Sequence, residues 1–227
     1  AAYGSVQGMF DGCTALKQVD LTRVVFGDGT KDLSYLFRGC TSLPRVTNKV
    51  ASPEYTADTP SILAVDGAYL PPFAAAENGS RMLEGCTGLA DVDENHPAVD
   101  LAGFMTGRAA NLSYAFAGAG GESATLSLTN VGNAPSADLS HMAEGSSFTR
   151  AELSIVGQGA GLSASHMLAS NRALESATFN KVAQGDNADM TSALSGCTAL
   201  ANVDMTDAAT GSAAPLTSAF RGCAFRE

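Results

Sequence analysis

The string MFDGCTAL at residues 9–16 returns three times along the chain. It reappears as LFRGCTSL at 36–43, MLEGCTGL at 82–89 and ALSGCTAL at 193–200. Weaker copies keep the glycine, or a serine, at the same place, and this landmark position falls at Gly12, Gly39, Gly85, Gly118, Gly145, Ser170, Gly196 and Gly222. The successive intervals of 27, 46, 33, 27, 25, 26 and 26 residues define a repeat of about 26 residues with two insertions.

Each repeat opens on a residue type that suits the start of a helix. These cap positions are Ser5, Asp32, Asn78, Asn111, Asp138, Ser163, Asp189 and, in the eighth copy, Pro215. Apolar residues follow one, four and five positions later, for example Leu33, Leu36 and Phe37. This is the stripe of one helical face, and the landmark glycine is the residue type that commonly ends a helix. The pattern predicts a helix of about two turns in every repeat.

A strand is predicted after each helix. The segments 16–22 and 200–206 share the spacing L-x-x-V-D-[LM]-T. Shorter or looser versions lie at 43–46, 89–93, 125–131, 152–156 and 174–179. Because strand side chains alternate, Val19 and Leu21 should point inward while Gln18 and Asp20 point outward. Asn202 and Asp204 should point outward in the same way, so the stacked strands should form one polar face.

The predicted fold is therefore an α/β solenoid. It is a right-handed stack of the leucine-rich-repeat kind, with about eight helix–strand repeats in a single domain over residues 1–227. Residues 47–77 form the largest insertion, where Asp66-Gly67 predicts a hairpin turn between 62–65 and 68–70. The expansion at 93–97 is predicted to be a turn.

The repeat unit [LM]-[ST]-x-[MLA]-F-x-G-C-T-x-L-x-x-V-D-L-T resembles the BspA-like leucine-rich repeat of bacterial surface proteins. The match is closest at 9–22, 33–43, 82–93 and 190–206, and weaker copies extend it over nearly the whole chain. The resemblance implies a secreted or surface-anchored protein that takes part in adhesion to host matrix proteins or in cell–cell contact. It implies no catalytic motif. The Ala/Gly-rich copies and the long insertion depart from the family pattern and leave the partner open.

Charge and hydropathy exclude several classes of partner. The formal net charge is −10, and an acidic surface repels nucleic-acid phosphates and anionic membrane surfaces. No apolar run approaches the roughly 20 residues that a membrane-spanning helix needs, and no signal-peptide pattern is visible at the start. We therefore expect no nucleic-acid partner and no membrane insertion within this segment, whereas the expectation of an extracellular or cell-surface location is what the family resemblance implies.

The cysteines occupy one equivalent position. Cys13, Cys40, Cys86, Cys197 and Cys223 each follow the landmark residue directly, so they should form a column inside the solenoid. Buried free thiols are the favoured interpretation because cysteine packs as a small apolar residue. Oxidation of neighbouring pairs, such as Cys13 with Cys40 or Cys197 with Cys223, is the alternative.

Two sets of candidate partner-binding residues follow. The first set is the polar strand face, with Gln18, Asp20, Asp91, Asp93, Asn202 and Asp204. The second set is the aromatic part of the insertion, with Tyr55, Tyr69 and Phe73. Insertions in solenoids often lie on a binding face, although a loop that patches the core has the same composition. Clustered strand-face carboxylates would suit a weak calcium site, and a solvated acidic face is the favoured alternative.

No constellation for catalysis, a cofactor or a metal appears. His141 and His166 lie one repeat apart at equivalent positions and should approach each other on the stack, but two ligands do not make a metal site. No nucleophile elbow or phosphate-binding loop is present. We therefore expect no enzymatic activity and no cofactor.

Three functional hypotheses remain. The first is a binding or adhesion module for an extracellular protein ligand, such as a host matrix protein. The second is a structural or display module of a surface or phage appendage, which self-associates through the ends of the solenoid. The third, a carbohydrate-active domain, ranks last because the predicted strand face is poor in aromatic residues.

Overall fold

A computed structural model describes residues 5–22, 31–49, 66–71, 73–107 and 110–224. Its framework is one eight-stranded sheet in which every pairing is parallel. The strands are β1 (Val19–Asp20), β2 (Val46–Thr47), β3 (Ala68–Tyr69), β4 (Val99–Ala102), β5 (Ala124–Val131), β6 (Phe148–Val156), β7 (Ser176–Val182) and β8 (Asn202–Asp204). Successive repeats add one strand each, so the chain is a parallel β-solenoid, and the solenoid prediction is confirmed.

The strand from the long insertion enters the sheet out of sequence order. The order is β1-β3-β2-β4-β5-β6-β7-β8, and Ala68 of β3 pairs with Val19 on one side and Val46 on the other. Both edges of β3 are therefore filled by parallel neighbours at residues 68–69, so β3 is not the second arm of a simple antiparallel hairpin. The predicted first arm, 62–65, lies outside the described residues.

The predicted helices are wrong for the described residues, where turn segments occupy those positions. The segments cover 5–13, 32–40, 78–86, 111–119, 138–146, 163–171, 189–197 and 215–223. Two residues in each segment have left-handed backbone, as Tyr114 (φ 56°) and Gly118 (φ 61°) do in the fourth. Left-handed residues interrupt a right-handed helix. We therefore correct the helix–strand description to a turn–strand repeat.

Hydrogen bonding between coils replaces hydrogen bonding within a helix. In the segment 138–146, the N–H groups of Leu139, His141 and Ala143 donate to carbonyls of the next coil at 2.7, 2.9 and 2.7 Å. Intervening N–H groups close tight turns, as Met142 does by donating to Leu139 at 3.3 Å. Neighbouring segments are also joined by parallel bridges such as Asn111 to Asp138 and Asp138 to Ser163. The segments are thus a second parallel ladder, which lies opposite the sheet.

The cap residues explain why the sequence suggested helices. Asp138 accepts the backbone N–H of Ser140 at 2.9 Å and its hydroxyl at 2.6 Å, and Asn111 does the same for Ser113. A side chain that bonds the N–H two residues on is the local geometry of both a helix cap and an Asx turn. The cap signal therefore located each segment correctly but could not distinguish the two structures.

The core lies between the turn ladder and the sheet. Leu33, Leu36 and Phe37, taken as one face of a helix, are fully buried because the turns also direct these positions inward. From the sheet, the row that begins at Val19 continues through Ala68, Val46, Val99 and Leu126. These apolar rows form one continuous cluster along the stack.

Most strand predictions hold. The segments 125–131, 152–156 and 174–179 overlap β5, β6 and β7, and the inward direction of Leu21 is confirmed by its burial. The strand predicted at 89–93 is wrong. The strand of that repeat is β4, which begins at Val99, because Asp93 and His96 form a local antiparallel bridge around the predicted turn.

A glycine substitution at a left-handed position distinguishes the turn ladder from a helix. Ser192 has φ 56°, and left-handed backbone costs an L-residue about 1–2 kcal/mol. We expect Ser192→Gly to stabilise the protein by about 0.5–1 kcal/mol in urea unfolding, because relief of this strain exceeds the entropic cost of glycine. A loss of stability, as glycine causes inside a helix, would contradict the turn geometry.

Candidate functional site

The outward side chains of the sheet form regular rows across the strands. One row runs from Asp100 through Ser127, Glu152 and Thr178 to Asp204, each residue in register with the next. A second row joins Arg150, Ser176 and Asn202 on β6, β7 and β8. Both rows are polar because the alternating inward positions supply the core.

Exposure of these rows changes along the stack. Thr47, Asp100 and Ser127 are buried, at 1%, 5% and 9% exposure, although they point away from the core. From β6 onward the outward residues are mostly open to solvent. We call this part the exposed strand face and define it by Arg150, Glu152, Ser176, Thr178, Asn202 and Asp204.

An open groove of about 400 Å³ lies along β7 and β8. Ser176 and Thr178 of β7 and Asn202 and Asp204 of β8 line it. The Thr206 hydroxyl donates to Asp204 at 2.6 Å and its N–H at 3.0 Å, and these bonds lower the pKa of that carboxyl. Asp204 therefore presents a negative charge at one wall of the groove.

The predicted residues of the first repeat lie at the other end of the sheet. Gln18 and Asp20 are exposed, as predicted, but β1 and β8 are the two outermost strands. Asp20 accepts the N–H and hydroxyl of Thr22 at 2.9 and 2.6 Å, the same local arrangement as Asp204. The structure therefore does not gather Asp20 and Asp204, and the grouping considered for calcium does not form.

The side chain of Asp91 is nearly buried and has a structural role. It is 10% exposed, and it accepts the N–H of Ala98 at 2.8 Å and the N–H and hydroxyl of Thr125 both at 2.7 Å. The carboxylate thereby fixes the starts of β4 and β5. Asp93 is exposed and pairs with His96 at 2.7 Å, which lowers the pKa of Asp93.

The aromatic candidates of the insertion do not form a surface patch. Tyr69 is fully buried on β3, and Phe73 is 7% exposed with its ring edge-on to Phe104 at 6.3 Å. A buried ring offers no contact area to a partner, so we correct these two positions from the predicted contact set to interior positions. Tyr55 lies outside the described residues.

One surface feature had only a partial signal in the sequence. On the turn ladder the rings of Tyr114, His141 and His166 stack at 4.8 and 4.9 Å, nearly parallel. Arg81 lies over the other face of Tyr114, at 4.7 Å from the ring centroid. The approach of the two histidines was predicted and is confirmed. The extension to Tyr114 follows from the shared repeat position, which the sequence also shows.

Among the residues that the structure describes, no three His, Cys, Asp or Glu side chains lie close enough together to hold an ion. The described residues likewise contain no helix long and apolar enough to cross a membrane.

All five thiols are free, and the predicted burial holds for three of them. Cys40, Cys86 and Cys197 are buried, and each donates to a carbonyl of the preceding coil at 3.1, 3.0 and 3.2 Å. Burial raises their pKa values to about 11, about 12 and about 12 respectively. Cys13 is exposed, and Cys223 is half-buried.

We expect thiol labelling of the native protein at mildly alkaline pH to be strongly graded. Cys13 should react fast, Cys223 more slowly, and the three buried thiols only after unfolding, because the reactive thiolate is suppressed there. The raised pKa values also mean that stability is full below the ordinary thiol pKa and falls as the pH rises from about 9 towards 12. Five equal labelling rates, or fewer than five thiols after denaturation, would contradict the buried column.

Comparison with known proteins identifies no relative of this chain. No protein-family model, curated protein or solved structure matches the chain.

Proposed function

We propose that the protein is a non-catalytic module of a bacterial secreted or cell-surface protein that binds an extracellular protein partner. The contact surface is the exposed strand face. The single observation that carries the proposal is the change in exposure along the sheet: outward residues are buried on β2 and β4 but open on β6 to β8. The repeat's resemblance to BspA-like surface proteins supports the location and the class of partner.

The chemistry of the exposed strand face suits a protein partner. Arg150 carries positive charge, whereas Glu152 and Asp204 carry negative charge, and hydroxyl and amide groups stand between them. Parallel strands hold neighbouring residues of one row about 4.8 Å apart, so the face is a rigid lattice of donors and acceptors. Mixed charge on a rigid scaffold favours specific recognition over non-specific attraction.

Solid-phase binding tests the proposal. The purified protein is offered to a panel of extracellular-matrix proteins and glycans, beside a double variant, Glu152→Lys with Asp204→Lys. We expect saturable binding to a protein partner and a loss of about ten-fold or more in affinity in the double variant. Glu122→Lys, an exposed change outside the six residues that define the face, is the charge control. If the double variant binds as tightly as the unmodified protein, the exposed strand face is not the contact surface.

A structural or display module is the second candidate function. The observation that favours it is the likeness of the two outermost strands, since β1 and β8 lie in the same L-x-x-V-D-[LM]-T segment. Absence of binding to every protein and glycan in the panel, together with self-association in solution, would favour this candidate over the binding module.

A further inference from the structure

A column of left-handed residues runs along the corner at which the strands of the sheet end. Its members lie at or just beyond the carboxyl ends of β4 to β8 and have φ between 55° and 59°: Gly103, Asn130, Ile155, Lys181 and Asp207. The registers of β5, β6 and β7 set Ile155 between Asn130 and Lys181. The corner therefore requires left-handed backbone in each of these five coils.

Ile155 is the least suitable residue type for this corner. Glycine adopts left-handed backbone without a steric cost, and asparagine and aspartate adopt it more readily than other side chains. A β-branched side chain is strained there, and Ile155 is the one β-branched residue with left-handed backbone among the residues that the structure describes. The sequence thus holds a disfavoured residue in a column where Asn130 and Asp207 show that tolerated types fit.

Packing does not explain the presence of isoleucine at this position. The Ile155 side chain is 39% exposed and lies outside the apolar cluster that fills the core. Bulky left-handed residues of the turn ladder differ in this respect, since the Tyr114 ring is stacked between Arg81 and His141. Backbone strain that the surrounding packing does not offset is typical of functional sites.

The surroundings of Ile155 are continuous with the exposed strand face. Ile155 follows Arg150 and Glu152 on β6, and the exposed Lys181 lies beside it, one strand spacing or about 4.8 Å away. Of the large apolar side chains that are exposed within the described residues, Ile155 alone belongs to a strand of this face. A few well-packed side chains carry most of the affinity of a protein interface, and the rest of this face is polar.

We propose that Ile155 is the apolar anchor of the partner-binding surface and that it selects a protein with an apolar pocket, whose rim carries a carboxylate that faces Lys181. This inference rests on the binding module proposed above. The residue types that tolerate the corner are glycine, asparagine and aspartate, and none of them can fill an apolar pocket. The strain at Ile155 is therefore retained because only a disfavoured residue supplies the contact.

Ile155→Asn separates the role of this side chain in binding from its role in folding. Asparagine relieves the strain and removes the apolar contact, so the urea midpoint of unfolding should rise while affinity falls about ten-fold. Solid-phase binding to immobilised fibronectin and fibrinogen measures the affinity. Ile155→Leu, which stays apolar and lacks the β-branch, should keep binding. Val92→Asn is the matched control, because Val92 is 46% exposed outside this face, and it should also keep binding.

Lys181→Glu tests the charged part of the contact. Reversal of this charge should weaken binding to the same immobilised protein by about ten-fold, whereas Lys181→Arg should leave the affinity unchanged. Equal affinity of the Lys181→Glu variant and the unmodified protein would exclude the carboxylate at the rim of the pocket.

The failure of this inference can be distinguished from that of the binding module. A urea midpoint that does not rise in Ile155→Asn would show that Ile155 is not strained and would overturn the proposal. A raised midpoint with undiminished binding would overturn the anchor role and leave the binding module standing. If the unmodified protein binds neither fibronectin nor fibrinogen, the anchor role and this class of partner both fail.

Discussion

Replacing Gly185 by alanine is expected to lower the free energy of unfolding by about 3 kcal/mol. Gly159, Gly185 and Gly211 occupy one corner of successive coils, and a Cβ on Gly185 would lie 2.2 Å from the carbonyl oxygen of Gly159. The same Cβ would lie 2.7 Å from the backbone nitrogen of Ala160. The obstructing atoms are backbone, so the coils themselves must separate. Equilibrium urea unfolding with a structural probe measures the effect.

Gly107→Ala is the matched control for this substitution. Its Cβ would meet the Ala74 carbonyl oxygen at 3.3 Å, a contact that a shift of a few tenths of an ångström relieves. We expect Gly107→Ala to lower the free energy of unfolding by no more than about 1 kcal/mol. Equal stability of the Gly185→Ala variant and the unmodified protein would show that the coils are not packed as closely as described.

Loss of the Asp91 carboxylate is expected to cost about 3 kcal/mol, because Asp91→Ala removes the acceptor of two backbone N–H groups and one hydroxyl. The N–H groups belong to Ala98 and Thr125, at the starts of β4 and β5. Hydrogen exchange should show the loosening at these strand starts first. Urea unfolding measures the total loss in free energy of unfolding.

Asp93→Ala separates this structural role from a general effect of removing acidic charge. Asp93 is exposed and its ion pair with His96 is a surface pair, so we expect a change within about 1 kcal/mol. If Asp91→Ala and Asp93→Ala lower the free energy of unfolding by equally small amounts, the assignment of Asp91 as the link between β4 and β5 is incorrect.

The repeat and its inward and outward positions could be predicted from the sequence because both are local patterns. The spacing from Leu16 through Val19 to Leu21 recurs at 200–205, and alternation alone separates core positions from surface ones. The same reasoning placed Gln18 and Asp204 outward. Such positions need no knowledge of which strand lies beside which.

The turn geometry could not be predicted, since it depends on partners in other coils. Tyr35, Arg81 and His141 hold left-handed backbone, which the residue types themselves disfavour. Their hydrogen bonds to adjacent coils maintain it. The apolar spacing of each segment suits a short helix equally well, so the sequence pattern favoured the commoner structure.

The candidate functional site was harder to predict, because an inserted segment changes which strands lie side by side in the sheet. An aromatic insertion resembles a binding loop in sequence, yet β3 inserts between β1 and β2 and Tyr69 is buried. Asp91 occupies the position of the exposed Gln18 in the L-x-x-V spacing, but its carboxylate accepts the N–H groups of Ala98 and Thr125. Burial of the outward row on β2 and β4 likewise has no local signal.

Stacked turns and parallel strands, without helices in the described residues, form this solenoid. Far-UV circular dichroism of the purified protein is the direct test of this architecture. We expect a single β-type minimum with no helical double minimum. A spectrum with the helical double minimum, at the strength expected for a two-turn helix in every repeat, would contradict the turn ladder and restore the helix–strand repeat.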